Sequence, residues 1–117
     1  MHWKIYYNPK CGTCRNVLEM LESEGIKPEV IEYLKNPPSV KELDAILVKA
    51  GLLPEQIIRK KEDLYTKLDL ANKKYNRSEW LKILSDNPVL IERPIVVKGD
   101  RAVVARPPES VQTLINS

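Results

Sequence analysis

The strongest constraint on this chain is a switch of hydrophobic pattern inside residues 3 to 34. Residues 3 to 7, "WKIYY", combine aromatic and branched side chains and read as a strand. The turn residues Asn8 and Pro9 follow. From Cys14 onward the apolar positions are Val17, Leu18 and Leu21, an i, i+3, i+4, i+7 series that predicts a helix ending near Gly25. Residues 28 to 34, "PEVIEYL", return to a strand pattern. A strand, a crossover helix and a second strand make a βαβ unit, whose strands run parallel.

After "NPPS" breaks the chain, Ser39 followed by Glu42 resembles a capping box, opening a helix with Val40, Leu43, Leu47 and Ala50 on one face and Gly51 at its end. Residues 54 to 87 are expected to be mostly helical with mixed charge, the segment around Trp80, Leu81 and Leu84 stopping at Asn87-Pro88. The stretch "RPIVVKGDRAVVARPPESVQTLI" then predicts a strand, a Gly99-Asp100 turn, a second strand and a short helix with Val111, Leu114 and Ile115 inward. The order βαβ, helices, ββα implies an α/β chain with a mixed sheet, resembling a thioredoxin-like fold with a helical insert at about 39–87. At 117 residues the length predicts a single domain over 1–117, without internal repeats.

Composition narrows the function. Apolar residues at 43% and charged residues at 30% describe a soluble globular chain, and apolar runs such as "PVLI" and "AVVA" are far too short to span a bilayer. The start "MHWKIYYNPK" lacks an apolar signal core, so a cytoplasmic monomer without a membrane partner is expected. The net charge of +3 is spread through mixed-sign segments, which argues against a nucleic-acid stripe. A structural zinc site wants four ligands, whereas this chain offers two cysteines and His2, so no metal is expected. His2 reads as a free terminal residue, and Trp3, Trp80 and the tyrosines as packing residues.

Both cysteines lie in "YYNPKCGTCRNVLEML". A thiol attacks as its thiolate, and an unperturbed Cys is only a few per cent ionised at pH 7. Cys11 sits where a loop enters a helix, and the unpaired N–H groups and positive helix end favour an anion there. Lowering its pKa by about two units requires about 2.7 kcal/mol, and the helix end supplies at most about 2, so arginines are expected to supply the rest. Cys14 begins the apolar series and should face inward; it reads either as a small core residue or as a resolving thiol able to close a disulfide with Cys11. A phosphatase-type loop would need five residues between the reactive Cys and an Arg, which falls at Val17, and is excluded; Arg15, in the first helical turn, reads as a solvated surface residue.

The stretch "YNPKCGTCRNVLEML" closely resembles the glutaredoxin-dependent arsenate reductases, whose motif is Asn-Pro-x-Cys-Gly-Thr followed by Arg-Asn. The blocks "YLKNPPSVKEL", "IIRKKEDLYTKLDLA", "NPVLIERPIVV" and "RPPESV" extend the resemblance over nearly the whole chain. It implies a thioredoxin-like fold, a catalytic Cys11, and an arsenate site built from Arg59, Arg93 and Arg106 with Asn8 and the Cys11 loop shaping the oxyanion pocket. It further implies a cis Arg93-Pro94 bond, no bound cofactor, glutathione as co-substrate and glutaredoxin as the protein that resolves the mixed disulfide. Two positions depart from the better-known members: Tyr7 stands where they carry His, and Cys14 where they carry Ser. The second departure opens a Cys11–Cys14 disulfide and thioredoxin as reductant. It also leaves two alternatives, an Spx-like redox-sensing regulator that binds RNA polymerase, and a general thiol-disulfide reductase.

Overall fold

The computed structural model describes residues 2–117. Strand β1, Trp3–Tyr7, leads through the Asn8–Cys11 loop into helix α1, Gly12–Ser23, and back into β2, Glu29–Glu32. Helices α2, Val40–Ala50, α3, Asp63–Lys67, and α4, Arg77–Asp86, precede the hairpin of β3, Ile95–Lys98, and β4, Arg101–Val104; α5, Gln112–Ile115, ends the chain. The strand order is β2-β1-β3-β4, with β1 parallel to β2 and the other two contacts antiparallel, which is the mixed sheet expected.

The alternation of side chains along the strands sorts the core onto two faces. Ile5 and Val96, which are register partners, point to one side and pack with Val17 and Leu21 of α1 and with Val111 and Leu114 near the C-terminus. Tyr6, Ile95 and Val97 point to the other side, against Leu43 and Leu47 of α2 and Trp80 and Leu84 of α4. The result is three layers, helix on sheet on helix. Trp80 packs edge-on to Tyr75 with ring centroids 5.1 Å apart, as a core aromatic should, while Lys98 Nζ sits 5.4 Å over the Trp3 ring.

Local chemistry explains most element ends, and in two places the structure corrects the sequence reading. Ser39 Oγ accepts from Glu42 N–H at 3.1 Å and caps α2, which stops at Gly51 in the left-handed region, φ 68°. The reciprocal half of that capping box does not form, because Tyr6 Oη donates to Glu42 Oε2 at 2.5 Å; the complete box is at Asn76 and Glu79, opening α4. Residues 54 to 87 are helical over most of their length, but in short pieces. Single 3₁₀ turns occupy Pro54–Ile57 and Leu70–Asn72, Ile58 forms an antiparallel bridge with Ile91, and Asp69 adopts φ 53°, so that only α3 and α4 are α-helical there. His2 is not free either, since its Nε2 lies 3.1 Å from Glu29 Oε1 at the surface. No helix among the described residues is long and apolar enough to cross a membrane.

Candidate active site

The loop before α1 is built around Cys11. Asn8 carbonyl accepts from Cys11 N–H at 2.9 Å, and Asn8 Oδ1 accepts from Lys10 N–H at 3.0 Å, an Asx-type turn that a buried Asn makes readily. Arg15 is not merely solvated: its Nη1 donates to Pro9 carbonyl at 2.8 Å and braces the loop from the first helical turn. Cys11 is thereby held as the N-cap of α1, its Sγ accepting from Cys14 N–H at 3.4 Å. A thiolate stands where a Ser or Asp oxygen usually caps.

Burial pushes the Cys11 thiol up, but donation from Cys14 and the cation of Arg93 outweigh it, and its pKa falls to about 7 from an ordinary 9.0. The helix end and one arginine therefore act together, where several arginines were expected. Cys14, wholly buried, goes the other way: burial first, then the neighbouring Cys11 charge, push it up to about 12. Both thiols are free.

Two backbone stitches bring Arg59 and Arg106 beside Arg93. Arg59 N–H donates to Leu90 carbonyl at 2.7 Å and Glu92 N–H to Ile57 carbonyl at 2.8 Å, so the Ile58–Ile91 bridge sets Arg59 alongside Glu92 and Arg93. The β3–β4 hairpin does the same for Arg106: Ala105 N–H donates to Pro94 carbonyl at 2.9 Å, and Arg106 Nη1 donates to Arg93 carbonyl at 2.9 Å. Arg93-Pro94 is cis, as the resemblance implied; Arg106-Pro107, also cis, was not foreseen.

The three guanidinium groups are not equivalent. Arg93 bears on Cys11, while Arg59 and Arg106 share Glu92, whose Oε2 lies 3.8 Å from Arg59 Nη1 and 3.6 Å from Arg106 Nε. Arg59, Lys60, Lys61, Glu92, Arg106 and Ile58 line a cavity of ≈ 350 Å³. Tyr33, at the end of β2, joins the group: burial raises its phenol and the cation of Arg93 opposes that rise, yet no group meets its Oη in hydrogen-bond geometry. Arg59 Nε and Arg93 Nε are likewise buried without partners. Uncommitted donors on buried cations are what a tetrahedral oxyanion needs from its site. Among the described residues no cluster of three His, Cys, Asp or Glu could hold a metal ion.

Sequence reading missed Tyr33 and Glu92. Glu92 directly precedes Arg93 in "IERPIVV", so its proximity to one arginine was available; its contact with Arg59 depends on the bridge, which no spacing reports.

A four-stranded mixed sheet with a low-pKa cysteine capping its first helix and a cis-proline opening the hairpin defines a thioredoxin-like protein with a single activated thiol. The comparisons carry this further. The model of the ArsC family matches residues 6–114, and the chain belongs to that family. It is 43% identical over 111 residues to an arsenate reductase of Rhizobium meliloti, covering 95% of this chain and 79% of that one. It is 42% identical to the arsenate reductase of Haemophilus influenzae, covering 95% and 97%. The solved arsenate reductase from Vibrio cholerae superposes with a TM-score of 0.92 at 41% identity, covering 97% of each chain.

Proposed function

We propose that this chain reduces arsenate to arsenite, with Cys11 as nucleophile and Arg93, Arg59 and Arg106 holding the oxyanion. The observation that carries the reading is the Cys11 thiol, with a pKa of about 7 at the N-cap of α1 and beside Arg93. About half of such a thiol is ionised at neutral pH, against a few per cent of an unperturbed one. The printed names of the Rhizobium and Haemophilus relatives support the same substrate.

In the proposed reaction the Cys11 thiolate attacks arsenic(V). An S–As bond forms as one As–O bond breaks, and the departing oxygen takes up protons and leaves as water. The arginines stabilise the charge that gathers on the remaining oxygens, the term that dominates in reactions of this type. A glutathione thiolate then attacks the Cys11 sulfur. The S–As electron pair passes to arsenic, which leaves as arsenite, and Cys11 is left in a mixed disulfide that glutaredoxin reduces. Asn8 contributes by fixing the loop, since its Oδ1 is committed to Lys10 N–H.

The surroundings of Cys14 favour packing over resolution. Its largest perturbation is burial, which persists after Cys11 has been modified, so its thiolate stays scarce at neutral pH. Glutathione and glutaredoxin are accordingly favoured over an internal disulfide and thioredoxin. The decisive measurement is arsenate-dependent oxidation of NADPH in a coupled glutaredoxin system. Wild type is expected to turn over and Cys11→Ser to be inert; undiminished turnover by Cys11→Ser would refute the assignment. RNA polymerase retained on the purified protein, without arsenate turnover, would instead favour the regulator.

A further inference from the structure

We propose that Tyr33 is a further ligand of the oxyanion site, its phenol O–H donating to an oxygen of the tetrahedral anion that the arginines hold. The proposal rests on the reading of Arg59, Arg93 and Arg106 as oxyanion ligands, and it adds a neutral donor that acts with them.

Tyr33 directly follows β2. The last pair of the parallel β1–β2 ladder is Tyr7 with Glu32, so one residue further on Tyr33 comes level with Asn8, where the loop to Cys11 begins. Tyr33 is 1% exposed and packs into the core on the α2 side of the sheet. A phenyl ring would fill that space equally well, so packing accounts for the ring and leaves the oxygen unexplained. Tyr6, in the same core, shows what a buried phenol ordinarily requires, since its Oη donates to Glu42 Oε2. Tyr33 Oη has no such partner.

The groups around that oxygen explain why. Arg93 and Arg59 are the cations that act on the phenol, and the Cys14 thiol is the neighbour that opposes them. A guanidinium has donors and no acceptor, and a thiol accepts only weakly, so none of these groups serves the Tyr33 proton. Arg93 Nε and Arg59 Nε are themselves buried donors without partners. Three orphaned donors, two of them cationic, thus share one neighbourhood, and all three lack an acceptor. An anion drawn in by the guanidinium groups brings acceptor oxygens, and a donor idle in the chain alone then makes a charge-assisted bond. Burial holds the phenol above its ordinary pKa in spite of the cations, so it remains protonated, and a donor, across the neutral range. Arg93 is only partly buried, and the rotamer freedom of its long stem lets the guanidinium give way to the incoming oxygen.

Tyr33→Phe removes one oxygen and keeps the ring, and its effects on binding, stability and the thiol separate a ligand from a packing residue. The probe is arsenate on the full chain carrying Cys11→Ser, where the ion binds without reacting. Adding Tyr33→Phe should weaken that binding at least about tenfold, read from the amide NMR shifts around Arg93 and Arg106. The doubly substituted chain, with no ion added, should unfold at no lower a urea concentration than its Cys11→Ser parent, because the deleted hydroxyl has no partner to lose. With Cys11 intact, Tyr33→Phe should leave the midpoint of Cys11 alkylation at about 7, since the phenol acts on the anion and not on the thiol. Unchanged arsenate affinity overturns the proposal. So does a loss of stability or of folding, which would reveal a hydroxyl already satisfied within the fold. A midpoint raised towards 9.0 also overturns it, making Tyr33 a residue that positions Arg93. Tenfold weaker binding in a chain whose wild type does not reduce arsenate sinks the proposed reaction and leaves the donor standing. Turnover by wild type with unchanged affinity in the Phe variant sinks the donor alone, and no arsenate binding by the Cys11→Ser parent sinks both.

Discussion

Cys11 and Cys14 lie one helical turn apart and their pKa values shift in opposite directions, because burial dominates at Cys14, whereas at Cys11 donation from Cys14 and the cation of Arg93 outweigh it. For Cys11 the folded pKa, about 7, lies below its ordinary 9.0, so its ionisation contributes stability in full above 9.0, and that contribution is lost as pH falls through 7. The rate of Cys11 alkylation by iodoacetamide should rise with pH around a midpoint of about 7, while native Cys14, pushed up to about 12, stays unlabelled. Arg93→Gln removes the cation beside the thiol and should raise that midpoint by about one unit, since an opposite charge at close range shifts a pKa by about that much or more. An unmoved midpoint would mean that Cys14 donation and the helix end suffice. Mass spectrometry after one turnover should find glutathione on Cys11, and a Cys11–Cys14 bridge would restore the resolving role. At this scale the proposed nucleophile and the three arginines proposed to hold the oxyanion could be named from the sequence, because Cys11 carries its own helix in sequence and the arginines lie in blocks that resemble a known family. Tyr33 and Glu92 were not, because their partners arrive from β3 and from the Ile58–Ile91 bridge.

Among the elements, α2 shows how a cap can be legible while its partner is not. Ser39 followed by Glu42 announced the helix start, and Ser39 Oγ does accept from Glu42 N–H. The Glu42 side chain, however, is claimed by Tyr6 from β1, a tertiary contact that outcompetes the local one. Ser39→Ala should therefore lower stability by about 1 kcal/mol in urea unfolding and leave turnover intact, as expected for a lost cap remote from the thiol. The stretch 54 to 87 is mostly helical, as expected, yet it is broken into short pieces for a related reason. Its composition is helical, but Ile58 is drawn into a bridge, Asp69 into the left-handed region, and Lys73 and Asn76 into extended backbone. Tertiary pairing overrides propensity where segments are only a turn or two long. The strand-helix-strand opening fared better because its periods are sustained over whole elements; only the ends of β2 moved, from 28–34 to Glu29–Glu32.

For the molecule as a whole, the sheet separates two cores that do not share side chains. Leu84 is fully buried on the face covered by α2 and α4, and Leu114 nearly so on the face covered by α1. Each truncation to Ala should cost about 2–5 kcal/mol, and the double variant should lose close to the sum, because the residues touch no common neighbour in either cluster. A markedly smaller loss in the double variant would show that the two layers relax together. The same architecture bears on the order in which the chain is made. Arg59 reaches its place through the bridge to Ile91, and Arg106 through the hairpin that closes behind β3. A ribosome therefore releases Cys11 some ninety-five residues before Arg106, the last of the arginines proposed to hold the oxyanion. During synthesis the emerging polypeptide carries the proposed nucleophile without the proposed anion cradle, so on this reading the chemistry is switched on by completion of the C-terminal third rather than by synthesis of the cysteine itself.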